Sequence, residues 1–304
     1  MDTTAHPDTA EQQTGASPSG VAARRGGAAR PSTAFVLGGG GVLGSAEVGM
    51  LRALLERGLV PDLVVGSSVG ALNGVAVAAD PTPAAVERLT EVWTELQARD
   101  VFSGSVVGQL SNLVRHGTYL HANDGLRRLI DDAAHGARIE DLPVAFQCVA
   151  ASIEKAGVHW FADGPVTEAV LASCAVPGLL PPVRIGGEHF VDGGLVRSVP
   201  VGRAIELGAR RIFVLHVGRI ERPLQVPRRP WEVAVVAFEI SRRHQFNDDL
   251  TRIPEGVEVH ILPTGSEPAA TLSVRYRRAG EVPGRITAAY RATADYLDRI
   301  EAER

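Results

Sequence analysis

The stretch Val64 to Gly74, VVGSSVGALNG, holds two adjacent serines, and only one has the spacing of a nucleophile. Ser68 has glycine two residues before it (Gly66) and two after it (Gly70), whereas Ser67 has valine at both offsets. G-x-S-x-G marks a sharp turn from a strand into a helix. The serine there adopts a strained backbone conformation, and a side chain two residues away would collide with the neighbouring strand or helix. The helix that starts just beyond turns its positive end toward the hydroxyl. The chemistry this pattern suits is acyl transfer. A plain small-residue turn would give the same letters, so the reading depends on finding a base and a site for the oxyanion.

An anion site is offered by Gly39 to Gly44, a G-x-G-x-x-G run at the end of a short apolar stretch. A dinucleotide site would need an acidic residue at the C-terminal end of the second strand, but Asp62 stands at that strand's beginning. A phosphate loop would need Gly-Lys-Ser/Thr, and GVLGSAE has no lysine. What remains is a loop of backbone N–H groups at a helix N-terminus, which suits an oxyanion.

For the base, histidine is the usual choice, and Asp192 followed by His216, His244 or His260 would keep the order Ser, Asp, His. Two observations weigh against that triad. Only one helix and one short strand separate Gly41 from Ser68, unlike the usual hydrolase arrangement, and His216 and His260 sit inside apolar strands (FVLHV, VEVHIL) where a buried structural histidine is expected. The stronger lead is VDGG, in which Asp192 ends a strand and Gly193 and Gly194 let the chain turn sharply. A simple Asp-Gly hairpin turn is the alternative reading.

These residues need elements to hold them. Ala34 to Leu37 predicts a strand that breaks into the glycine loop and then a helix with Ala46, Met50, Ala53 and Leu54 on one face, stopped by Gly58 and Pro61. Leu63 to Val65 predicts a second strand, followed after the serine turn by a helix from Val69 to Ala79. The two loops then lie at one edge of a parallel sheet. Further on, a helix reaches about Gln97, another runs Gly125 to Ala134, and VAFQCVAAS and GVHWFA predict neighbouring strands. LASCAVPGLLPPVRIGGEHFVD predicts a short helix, a Pro-rich turn and a strand ending at Asp192. RIFVLHV, WEVAVVAFEISRRHQF, VEVHILP and ITAAYRATADYLDRIEAE complete the alternation as strand, helix, strand and helix.

Four motifs in this order, Gly39-Gly-Gly-Val-Leu-Gly44, Gly66-Ser-Ser-Val-Gly70, ASCAVPGLLPPV and Asp192-Gly-Gly, resemble the patatin-like phospholipases from about Ala34 through Pro200. The resemblance implies a three-layer α/β/α sandwich with a mainly parallel central sheet. It also implies a Ser-Asp dyad without histidine: Ser68 as nucleophile, Asp192 as proton acceptor, and the amides of Gly39, Gly40 and Gly41 as oxyanion hole, with Gly44, Gly66, Gly70, Gly193 and Gly194 as motif glycines. The implied activity is hydrolysis of carboxylic esters of phospholipids or related lipids through an acyl-enzyme, with no cofactor and no metal. A carrier-protein acyltransferase, which needs a histidine partner, and a non-catalytic lipid-binding regulator are the alternatives. The chain departs from many members at Leu43, where they carry arginine, and at Ser198, where they often carry asparagine.

Composition is consistent with this reading. Apolar residues make up 45% and charged residues 22% of 304, so one large α/β domain over 32–304 can bury a sizeable core, and a formal charge of -4 provides no basic footprint for nucleic acid. Residues 1–31, rich in Ala, Gly, Thr and Ser, are expected to form a disordered tail. Cys148 and Cys174 lie outside any C-x-x-C spacing, which fits a reducing, cytoplasmic setting. Val101 to Leu120 is apolar enough to cap an acyl channel or touch a membrane peripherally, and a helix pair packed in the core is the alternative reading. Oligomeric state is left open.

Overall fold

Burial on both faces makes the predicted strands the middle layer of a sandwich. The computed structural model describes residues 32–98, 123–217, 223–265 and 282–303, so the tail 1–31 and the segment Val101 to Leu120 lie outside the described residues. In β1 (Thr33–Leu37), β2 (Leu63–Ser67) and β7 (Arg211–Leu215), Phe35, Leu37, Val64, Phe213 and Leu215 face one layer of helices. Ala34, Val36, Leu63, Val65, Ile212 and Val214 face the other. Strands buried on both faces carry continuous apolar runs and need helices on each side.

The larger layer contains α1 (Ser45–Glu56), α2 (Val69–Ala79), α3 (Pro83–Ala98), α4 (Asp124–Ala134), α5 (Val166–Ser173) and α8 (Val282–Ala302). The smaller is built from α6 (Val201–Glu206) and α7 (Pro230–Thr251), with Val201, Ala204 and Phe246 against the sheet. No described helix is long and apolar enough to cross a membrane.

Among the described residues the sheet has eight strands and is mainly parallel. β1 lies between β2 and β7 and runs parallel to both; β3 (Ala145–Ser152) continues the parallel set beside β2, and β8 (Glu258–Ile261) beside β7. β4 (Gly157–Phe161) pairs antiparallel with β3. The strand expected to end at Asp192 is β6 (Glu188–Asp192), the second arm of a hairpin whose first arm is β5 (Val183–Ile185) and which turns at Gly186-Gly187, both with positive φ (57° and 90°).

β6 is the element that matters most for the site. It pairs antiparallel with β3 through Ser152, Ala151 and Ala150, whose other edge is taken by β4, so β6 occupies the edge that β2 leaves when it ends. Ser67 is opposite Val149 and Asp192 is opposite Ala150. The two strands therefore meet end to end on consecutive residues of one template strand.

The closing helix α8 packs directly on α1. A Cβ on Gly49 would lie 2.1 Å from the Ile286 carbonyl oxygen, and the pair is laced by Arg57 Nη2 to Asp298 (2.6 Å) and Tyr290 Oη to Glu56 (2.7 Å). Glycine to alanine in a helix interior ordinarily stabilises by about 0.5–1 kcal/mol. Here the sign reverses: Gly49→Ala is expected to destabilise by about 1–3 kcal/mol, read as a lower urea midpoint at constant slope. A raised midpoint would show that the helices stand further apart.

Candidate active site

Ser68 is where the chain leaves β2 for α2, and its backbone carries the strain foreseen for an elbow: φ 54°, ψ -128° in a non-glycine residue. The elbow fits only because backbone passes very close on either side. A Cβ on Gly70 would lie 2.4 Å from the Leu37 carbonyl oxygen of β1, and one on Gly66 would lie 2.5 Å from Ala71 Cα. Ser67, the last residue of β2, is fully buried and its hydroxyl has no hydrogen-bond partner among the described residues, whereas the Ser68 hydroxyl has one.

Asp192 arrives from the opposite direction along β3, and a Cβ on the following Gly193 would meet the Val149 carbonyl oxygen at 2.2 Å. The result is a short hydrogen bond, Ser68 Oγ donating to Asp192 Oδ2 at 2.5 Å. The other carboxylate oxygen accepts from the Gly194 amide at 2.7 Å. Both residues are buried, Ser68 at 8% and Asp192 at 4% exposure, in a setting that disfavours the charged carboxylate. Burial pushes the Asp192 carboxyl up to about 6, against the smaller opposing pull of the Ser68 and Gly194 hydrogen bonds.

A third segment holds both residues in place. At the end of α5, Ser173 Oγ accepts from the Ser68 amide (2.9 Å), Cys174 Sγ donates to the Ser68 carbonyl (3.0 Å), and the Ala175 carbonyl accepts from the Asp192 amide (2.9 Å). Three consecutive residues of the ASCAVPG motif thus satisfy the backbone around the strained turn. The spacing rules that single out Ser68 carry no information about Ser173, whose hydroxyl works through the fold. Burial raises the Cys174 thiol well above its ordinary value, so it is a neutral donor.

The glycine loop lies against the same point. A Cβ on Gly39 would stand 3.3 Å from Ser68 Cβ, and one on Gly44 would run into the Val69 side chain at 2.6 Å. The expectation that Gly39, Gly40 and Gly41 all present amides to an oxyanion needs correction at the first of them. The Gly39 amide donates to the Ser198 carbonyl at 2.8 Å, because the loop at that point still follows the sheet edge. Gly40 is half-buried and Gly41 exposed, with φ 56°, and their amides have no partner among the described residues. Ser198, the position set apart in the sequence, is buried beneath the loop and acts through its carbonyl. Leu43 is half-buried and packs on the main core.

The histidines lie elsewhere. His216 is buried against Phe246 and held near 4 by desolvation and the nearby Arg242, His260 stacks on Phe213, and His244 is exposed. Among the described residues no histidine hydrogen-bonds Ser68 or Asp192.

Residues 35–205, more than half of the chain, match the family model described as Patatin-like phospholipase. The chain belongs to the patatin-like phospholipase family. Among its patatin-like relatives, a patatin-like phospholipase domain-containing protein of Caenorhabditis elegans, ZK370.4, is 34% identical over 62% of this chain and 14% of its own length. Patatin-like phospholipase domain-containing protein 7 of Rattus norvegicus is 29% identical over 61% of this chain and 13% of its length. Lysophospholipase nte1 of Aspergillus terreus is 31% identical over 62% and 12%. The match therefore spans about an eighth of the length of these relatives. Among solved structures, VipD from Legionella pneumophila covers 90% of this chain and 67% of its own at 16% identity and a TM-score of 0.44.

Because burial sets the Asp192 titration and the Ser68 hydroxyl stabilises the charged form, two midpoints are expected by carboxyl carbon NMR. The wild-type group should titrate near 6, and Ser68→Ala, which removes a donor to the carboxylate, should move the midpoint upward. A midpoint near 4 in the folded protein would mean that the carboxylate is solvated.

Proposed function

We propose that the protein is a serine lipid acyl hydrolase that cleaves carboxylic esters of phospholipids or related lipids through a Ser68-Asp192 dyad. The observation that carries the reading is the 2.5 Å hydrogen bond from a serine on a strained elbow to a buried aspartate. Ser68 Oγ attacks the ester carbonyl carbon while Asp192 takes its proton; the amides of Gly40 and Gly41 receive the negative charge that develops on the carbonyl oxygen. Collapse expels the alcohol, which takes the proton back from Asp192. Water, deprotonated by the same carboxylate, then releases the acid from the acyl-enzyme.

A carboxyl near 6 is a stronger base than an ordinary aspartate and is still mostly ionised at pH 7, which suits this task. Family membership and a relative named as a lysophospholipase support a lipid ester as substrate. The carrier-protein acyltransferase reading requires a histidine against the serine, and here Asp192 holds that place.

The test is hydrolysis of a short-chain aryl ester and of a lysophospholipid. Ser68→Ala is expected to abolish turnover and fluorophosphonate labelling, and Asp192→Asn to lower kcat by about 10²–10⁴-fold. In the wild type kcat/KM should fall tenfold per pH unit below about 6, as the base becomes protonated, and level off above it. Full activity in either variant would overturn the dyad.

A further inference from the structure

Beneath the glycine loop lies a buried polar cluster that the proposed chemistry does not use. Asn73, on α2 five residues after Ser68, is fully buried. Its Nδ2 donates to the Gly44 carbonyl at 3.0 Å and to Glu47 Oε2 at 2.8 Å, and its Oδ1 accepts from Trp93 Nε1 at 3.0 Å. The orientation of the amide is fixed by its partners, since an indole N–H can only donate and a carbonyl can only accept. Gly44 closes the 3-10 turn Gly41–Gly44 that carries the Gly41 amide, and Glu47 sits one turn further along α1. Asn73 therefore ties the helix that starts at the nucleophile to the loop that faces it.

Glu47 is fully buried, and one of its oxygens, Oε1, has no hydrogen-bond partner. Burial pushes its carboxyl well above the ordinary range, against the smaller opposing pull of the Asn73 hydrogen bond. Through Asn73 it is linked to Gly44, the last residue of the glycine loop. An incompletely satisfied buried network is worse for stability than apolar packing of the same volume, so stability alone gives no account of it.

We propose that Asn73 and Glu47 are positioning residues that set the separation between the glycine-loop amides and Ser68. The inference rests on the hydrolase reading for its kinetic consequence, but not for its structural one. A shift of about 1 Å in an oxyanion donor lowers turnover roughly 10- to 100-fold, while binding of a small ester is little affected.

Three variants separate the possibilities. Asn73→Ala and Glu47→Leu are expected to lower kcat on a short aryl ester roughly 10- to 100-fold with KM near the wild-type value, and to speed amide exchange at Gly40 to Gly44. Glu47→Gln, which keeps a neutral acceptor for Asn73, should retain kcat and exchange protection. If Asn73→Ala does not fold, Glu47→Leu against Glu47→Gln carries the comparison. Wild-type kcat and protection in Glu47→Leu would overturn the positioning role. If the unaltered protein neither hydrolyses the ester nor reacts with a fluorophosphonate, the hydrolase reading fails, and exchange at Gly40 to Gly44 still decides the coupling.

Discussion

Hydrogen bonding along one edge of β3 is the constraint from which the rest of the site follows. Two strands running in opposite senses take consecutive positions on that edge, β2 ending opposite Val149 and β6 opposite Ala150. Their terminal residues have to meet there, whatever path the chain takes between them. The pleat then gives Asp192 a place among the buried groups, and the step from β2 into α2 brings the Ser68 hydroxyl to it.

Meeting is not enough, because both groups are held in unfavourable states. A serine at φ 54° and a carboxylate at 4% exposure persist only when neighbouring groups over-determine them. The end of α5 supplies three backbone contacts, Gly194 supplies an amide to the carboxylate, and the Ser68 carbonyl accepts from Ala71 and Leu72 at the start of α2. The energy stored in the elbow and the raised carboxyl is thus balanced by ordinary hydrogen bonds outside the reacting pair. This is a familiar division of labour in sites where reactivity opposes stability.

Much of this was legible in the sequence because it rests on short-range rules. G-x-S-x-G selects Ser68 over Ser67 by spacing, and apolar runs bounded by glycine and proline mark the parallel strands. Asp192 was legible as a residue ending a strand, while its pairing with Ser68, 124 residues away, was legible only through the resemblance carried by the four motifs. The first arm of the Gly186-Gly187 hairpin was not legible because β5 has only three residues and little pattern. The Gly39 amide was assigned to the oxyanion because spacing cannot show that Ser198 engages it. Ser173 and Asn73 were invisible for a related reason: single polar residues in small-residue helices carry no periodic signal, and only tertiary structure gives them partners.

Pairing Ser68 with Asp192 through β3 also fixes when their hydrogen bond can form. As the chain is synthesised, Ser68 and the glycine loop emerge first, and the strand β3, against which Asp192 will be placed, follows. The carboxylate comes later still and has to fold back against a strand that already exists. A nascent or partly unfolded chain therefore lacks the Ser68–Asp192 hydrogen bond, which arises only with the completed topology.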